Sequence, residues 1–263
     1  MSAVTPSQDL VARAPRRHRR SPAGYLAMPA FLALVCLALY LYVSAQQLDT
    51  IEARSLNPGA LTTALWQHVQ LTVVSTVIVL VIAVPLGIVL TRPFTRRIRP
   101  YLLAVLNLGQ AIPTIAILVL LAVGFFLLGF PAAVLGLVLY AVVPVLLNTM
   151  VGLEQVDRSI LEAARGMGMS PLEVLRRIEL PLSVPIVLAG VRTALVINVG
   201  TATLTTYINA GGLGDIIVAG LSTNRFLVQL VGAVLTAVLA LLIDYVASIA
   251  EDVLSPRGLR ASQ

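Results

Sequence analysis

Residues 100–153 read PYLLAVLNLGQAIPTIAILVLLAVGFFLLGFPAAVLGLVLYAVVPVLLNTMVGL and carry no charged side chain. A helix needs about 20 apolar residues to cross the hydrocarbon layer. These 54 positions are too many for one crossing and enough for two. Gly129-Phe130-Pro131 offers the turn between them, so spans are predicted at 101–121 and 132–151. Working outward, uncharged runs predict further spans at 25–45, 64–90, 183–208 and 226–250. The expected fold is an all-α polytopic membrane protein with six transmembrane helices. Composition points the same way: 58% of residues are hydrophobic and 11% charged, where a soluble domain carries roughly 25% charged. A soluble enzyme, a disordered regulator and a disulfide scaffold are poor fits, and the lone Cys36 cannot form an intrachain disulfide.

All 18 basic residues are arginine. Fifteen of them fall on one side of the predicted spans: Arg13, Arg16, Arg17, Arg19, Arg20, Arg92, Arg96, Arg97, Arg99, Arg158, Arg165, Arg176, Arg177, Arg257 and Arg260. Only Arg54 and Arg225 fall opposite, and Arg192 lies within a span. The positive-inside rule makes the arginine-rich side cytoplasmic, so both termini are expected in the cytoplasm. The chain then divides into an arginine-rich tail at 1–24, a first transmembrane helix at 25–45, a five-helix core at 64–250 with a loop at 154–182, and a tail at 251–263. The run at 16–20, RRHRR, reads as a topology anchor and not as a nucleic-acid patch. The apolar run after it is too long for a signal-peptide core and no small-residue cleavage site follows, so it is expected to be retained. Without lysine there is no Walker lysine for nucleotide phosphates and no Schiff-base lysine. His18, His68 and Cys36 lie far apart, so no metal site is expected. The missing lysine also hints at a GC-rich, hence bacterial, source.

The loop at 154–182 holds five of the twelve acidic residues, Glu154, Asp157, Glu162, Glu173 and Glu179. It predicts two short helices. The first, at 157–165, places Ile160, Leu161 and Ala164 on one face. Gly166 and Gly168 interrupt it. The second starts at Ser170-Pro171-Leu172-Glu173, a capping-box pattern with proline at the first helical position. Leu172, Leu175 and Ile178 follow at helical spacing, and Pro181 is expected to end the helix. By spacing alone, the loop fits a membrane-surface amphipath as well as a docking element.

Glu162-Ala163-Ala164, then Gly168, then Ile178, Leu180 and Pro181 resemble the EAA loop of type I ATP-binding-cassette (ABC) importer permeases. Every fixed position of that pattern matches at the same spacing. The resemblance implies a coupling element that docks on a separate ATPase subunit, which would hold the ATP and magnesium that this chain cannot. It implies no catalytic residue in this chain. It further implies two ATPase subunits, a second permease copy or a sister permease, and an extracytoplasmic substrate-binding protein.

The resemblance extends over roughly 64–250 and narrows to osmoprotectant permeases, which carry glycine betaine, choline, carnitine and related molecules. It rests on Gln110-Ala111-Ile112-Pro113-Thr114, on Leu139-Tyr140 with Pro144, Asn148-Thr149 and Gly152, on INVGTAT at 197–203, and on Asn209 to Asp215. Asn209 stands where glycine is more usual, and Tyr207 has an aliphatic setting. Pro113 and Pro144 lack an N–H and so free backbone carbonyls. Gln110, Pro113, Asn148 and Thr149 are candidates for a translocation path, with helix–helix hydrogen bonding the alternative for Gln110 and Asn148. Gly200, Thr201 and Thr203 form a small, weakly polar stripe suited to a dimer axis or gate. Gly211, Gly212 and Gly214 read as an external turn and not as a phosphate loop. Arg192 and Asp244 are the charges inside spans, expected to pair or to act in function, and their pairing would latch spans five and six. Few aromatics are available for a cation–π cage, which leaves solute recognition to an outside receptor.

Three other readings compete. An ABC permease for an amino acid such as methionine shares the EAA loop. A secondary transporter driven without ATP needs midplane coupling charges and leaves the loop without purpose. An intramembrane enzyme lacks a serine in a nucleophile-elbow context.

Overall fold

A computed structural model describes residues 22–254. The arginine cluster at 13–20 with His18, and Arg257 and Arg260, lie outside the described residues. Within them the chain is helical, with no strand. The helices are α1 (Pro22–Ser44), α2 (Thr50–Ser55), α3 (Pro58–Leu90), α4 (Arg99–Gln110), α5 (Thr114–Val119), α6 (Gly129–Glu154), α7 (Arg158–Gly166), α8 (Pro171–Val174), α9 (Leu180–Ala202), α10 (Leu213–Ser222) and α11 (Phe226–Leu254). Five stretches are long and apolar enough to cross a membrane, and the bent pair Arg99–Gln110 with Thr114–Gly124 makes six if it counts as one broken span.

α6 sits at the centre. Its residues Ala133, Leu137, Ala141, Val145 and Leu146 are fully buried, and it packs between α3 and α9. Small residues allow the close approach, as is usual where lipid supplies no hydrophobic drive between helices. A Cβ on Gly87 of α3 would lie 2.8 Å from Thr149, and one on Gly190 of α9 would lie 2.6 Å from Asn148 Cβ. α10 and α11 pack together beside α9, and α1 rests on α11.

The third span differs from the straight helix expected at 101–121. α4 and the segment Thr114–Gly124 meet at 91°. Twelve residues of α4 reach only about 18 Å, too short to cross alone. Pro113 has no N–H to continue the α4 ladder, and it forces Ile112 before it away from helical backbone. The turn before α6 also moves. Gly129-Phe130-Pro131 is the first turn of α6 and not the connection. Pro131 is harmless there, because first-turn N–H groups have no partner within the helix. The chain reverses at 125–128 instead, with Phe126 and Gly129 at positive φ.

A third correction concerns Pro181, which does not end the loop's second helix. Helical backbone runs unbroken from α8 through a π turn, Leu175–Glu179, into α9. Leu180 N–H reaches back to Leu175 in this wider turn, and Pro181 falls in the first turn of α9, where proline is tolerated. At its far end α9 stops at Ala202, and Thr203–Ile208 continue the span to the expected 208 as a 3-10 turn. Two short helices, α2 and α10, were not foreseen. The signal for α2 was present: Asp49 and Glu52 form a second capping box, of the kind read at Ser170.

Prolines inside α1 and α6 leave carbonyls that neighbouring helices complete. Pro29 leaves Tyr25 without its helical donor, and the Tyr245 hydroxyl of α11 donates to that carbonyl. Pro144 does the same to Tyr140, whose carbonyl accepts from Gln110 Nε2 at 3.0 Å.

Candidate functional site

The loop at 154–182 forms a helical hairpin at one end of the bundle. Asp157 caps α7 by accepting from Ser159 N–H at 2.8 Å. That bond and the Ser159 hydroxyl hold the Asp157 carboxyl below the usual range. α7 then closes on Gly168 at φ +84°. Gly168 N–H donates to the Arg165 carbonyl at 2.9 Å, and Met169 N–H to the Ala164 carbonyl at 3.2 Å. These two bonds define a Schellman C-cap, whose left-handed residue is ordinarily glycine. A Cβ at Gly168 would meet nothing within 4 Å, so backbone conformation and not space demands glycine.

Ser170 and Glu173 then form the capping box read in the sequence. Glu173 accepts from Ser170 N–H at 2.9 Å, and Glu173 N–H donates to Ser170 Oγ at 3.4 Å. The Ser170 backbone bond, then its hydroxyl, hold the Glu173 carboxyl low. Ala164 and Val174 are buried in the hairpin. Glu162 and Ala163 are exposed, beside a shallow open hollow lined by Arg158, Leu161, Glu162 and Arg165. Ile160, Met167 and Leu172 are exposed as well. The hairpin therefore presents a mixed apolar and charged face. Ile178 is half-buried in the π turn, while Leu180 and Pro181 open α9.

Two ion pairs, which sequence reasoning missed, tie this end together. Arg92 at the end of α3 grips Glu179 of the π turn, with Nη2–Oε2 at 2.5 Å and Nη1–Oε1 at 3.3 Å. Glu179 is 5% exposed. Arg99 at the start of α4 pairs with Glu154 at the end of α6, the second contact at 3.2 Å. Nothing local marks such partners, which are 87 and 55 residues apart.

The path candidates are dispersed. Gln110 ends α4 and donates to Tyr140 O. Pro113 stands exposed at the bend. Asn148 donates to the Pro144 carbonyl at 2.8 Å within α6 and lies against Gly190. Thr149 is fully buried against Gly87, its hydroxyl on Val145 O at 2.8 Å, so it faces α3 and no open space. Thr201 and Thr203 donate to their own helix, to Ile197 O at 2.8 Å and Gly200 O at 2.7 Å. Gly200 is exposed, and a Cβ there would meet nothing within 4 Å. The small-residue stripe is thus open on its outer side.

At the opposite end of the bundle, Gly211 and Gly212 turn at φ +80° and +107°. Gln67 Oε1 accepts Gly212 N–H at 3.2 Å. Leu213 N–H donates to His68 Nδ1 at 3.2 Å, and His68 Nε2 lies 2.9 Å from the Val199 carbonyl. A backbone N–H at Nδ1 makes that atom the acceptor, so the proton sits on Nε2 and the ring is neutral. His68 is fully buried and joins α3, α9 and the glycine turn, a role its sequence position did not signal. Gly214 lies against Thr203, whose carbonyl would be 2.1 Å from a Cβ. Arg225 pairs with Asp49 at 2.7 Å. Within the spans, Arg192 of α9 and Asp244 of α11 are joined by two hydrogen bonds, the Nη2–Oδ2 contact at 2.6 Å. Asn198 donates to Thr76 at 3.0 Å in the buried seam between α9 and α3. Among the described residues no group of three His, Cys, Asp or Glu could hold a metal ion.

A bent helix pair beside a central α6, with a helical hairpin running into α9, is the framework of a helical protein with several apolar spans. The chain belongs to the family described as binding-protein-dependent transport system inner membrane component, whose profile matches residues 83–259. It is 36% identical over 208 residues to the choline transport system permease protein OpuBB of Bacillus subtilis, covering 78% of this chain and 93% of that one. It is 40% identical over 192 residues to the carnitine transport permease protein OpuCD of Listeria monocytogenes, covering 73% and 85%. The fold matches a chain of the methionine ABC transporter MetNI in an inward-facing conformation. That match has a TM-score of 0.66 and 25% identity, and covers 74% of this chain and 96% of that one. The chain is thus an ABC-transporter permease subunit and not itself an enzyme.

Proposed function

We propose that this chain forms half of the translocation path of an ATP-driven importer for osmoprotectants such as choline, carnitine and glycine betaine. The observation that carries the substrate class is the likeness to permeases named for choline and carnitine, over 93% and 85% of their lengths. The elements at 110–114, 139–152 and 197–215 lie within the profile match. Both termini and the 154–182 hairpin face the cytoplasm in this reading, which the arginine distribution supports.

The exposed face of α7, with Glu162, Ala163 and the neighbouring hollow, docks on an ATPase subunit, one for each of two permease copies. ATP and magnesium reside on that partner, since this chain has no lysine for a phosphate loop. Closure of the two ATPase subunits pushes the hairpin. The unbroken helix through the π turn carries the push into α9 as a rigid body, and the Arg92–Glu179 grip passes it to α3. The Gly200, Thr201 and Thr203 stripe meets its counterpart at the axis between copies. The Arg192–Asp244 pair latches α9 to α11. A substrate-binding protein docks at the opposite mouth, near the Gly211–Gly212 turn, and delivers the solute.

The test is uptake of labelled choline, carnitine, glycine betaine and methionine in cells with and without this gene, with Gly168→Val as the coupling control. Loss of choline, carnitine or betaine uptake in the deletion strain is expected. Loss of methionine uptake alone moves the chain to an amino-acid permease, the reading favoured by the likeness to MetNI. Transport that persists when the cell's ATP is depleted removes the ABC mechanism for this chain.

A further inference from the structure

Pro144 interrupts the hydrogen-bond ladder of α6, and the carbonyl that loses its donor belongs to Tyr140, one turn earlier. Gln110 Nε2 donates to that carbonyl at 3.0 Å. Gln110 is the last residue of α4, directly before the 91° bend. The other arm of the bend is pinned to the same helix. Leu118 of α5 is fully buried, and its Cδ2 lies 2.6 Å from where a Cβ on Gly136 would stand. Gly136 and Tyr140 are four residues apart and so share one face of α6. Between the two anchors, Ala111, Ile112 and Pro113 are all exposed.

We infer that Gln110 is a positioning residue for transport: its amide completes the ladder that Pro144 leaves open in α6, and this fixes the exposed elbow at 111–113. Its value to transport rests on the permease reading above, but the hydrogen bond itself does not. Gln110 and Pro144 therefore depend on each other. Gln110 is needed because position 144 has no N–H. Restoring that N–H makes the amide redundant. A residue that merely lines a path has no such dependence on Pro144.

The test is a double-mutant cycle in the assembled transporter, with Gln110→Met, Pro144→Ala and the double variant. Choline or betaine uptake is normalised to permease in the membrane. Gln110→Met alone leaves the half-buried Tyr140 carbonyl unpaired, and its maximal uptake is expected to fall about fivefold with little change in KM. In the Pro144→Ala background the same substitution is expected to change uptake less than about twofold. Equal losses in both backgrounds overturn the inference, as does full uptake by Gln110→Met alone. Should Gln110→Met fail to assemble, the double variant decides, because it is expected to assemble as Pro144→Ala does; failure in both backgrounds overturns the inference. Thermal melting of the four purified transporters separates this inference from the substrate assignment. A midpoint lowered by Gln110→Met and restored in the double variant upholds the bond even if none of these solutes is carried. Four equal midpoints overturn the bond whatever the solute.

Discussion

Substitutions at Gly168 separate two reasons for a glycine in the docking hairpin. Its φ of +84° lies in the left-handed region, and a Cβ there would meet nothing within 4 Å of this chain. An L side chain in that region costs roughly 1–2 kcal/mol. Alanine returns roughly 0.4–1 kcal/mol by narrowing the alternatives open to the chain. The net penalty for Gly168→Ala is about 1 kcal/mol, which lowers the closed Schellman turn about fivefold relative to open alternatives. Gly168→Asn is expected to do better than alanine despite its larger size, because asparagine tolerates this conformation. Gly168→Val is expected to do worst, since a β-branched residue at positive φ is a genuine outlier. The assay is uptake per ATP hydrolysed by the permease reconstituted with its ATPase in vesicles. The expected order is glycine, asparagine, alanine, valine. An order that follows side-chain volume, with asparagine below alanine, would refute the backbone argument and point to a tight steric fit against the partner.

Glu179→Ala strands Arg92 at the edge of the bundle. Breaking a buried pair costs about 3–5 kcal/mol, and the partial exposure of Arg92 reduces this to roughly 2–3 kcal/mol. Melting of the purified transporter and uptake per ATP are both expected to fall, and Arg92→Ala combined with Glu179→Ala to recover part of each; a double variant no better than Glu179→Ala would deny the strut. Arg192→Leu is expected to impair membrane insertion and uptake more than Arg192→Leu with Asp244→Leu, because the single change takes the arginine partner from a carboxylate inside the span. Equal and normal uptake in both removes the latch. Gly214→Ala places a methyl 2.1 Å from the Thr203 carbonyl oxygen and is expected to abolish assembly. Gly200→Ala has room for its Cβ within this chain, so a normal melting midpoint of the isolated permease with reduced uptake is expected if a second copy covers that face, whereas normal uptake leaves the face uncovered.

What the sequence determined was the local and the periodic. Length of uncharged runs sets the number of crossings, because the hydrocarbon layer has a fixed thickness. The Ser170 capping box and the Gly168 turn were legible because a cap involves residues only a few positions apart. The family motifs were legible for the same reason, since their spacing is carried along one stretch of chain. Tertiary structure decided everything that depends on distant partners. Pro113 marked a weak point in the third span, but neither the 91° angle nor the attachment of Gln110 and Leu118 to α6 on either side of it could be read from the local sequence. Pro181 looked like a helix end, yet the loop helix runs on through a π turn into α9. Arg92 finds Glu179, and His68 finds Val199 and Leu213, only once the bundle is assembled. A buried polar side chain is required to have a partner, but the requirement does not say which residue of the remaining chain will be close enough to meet it.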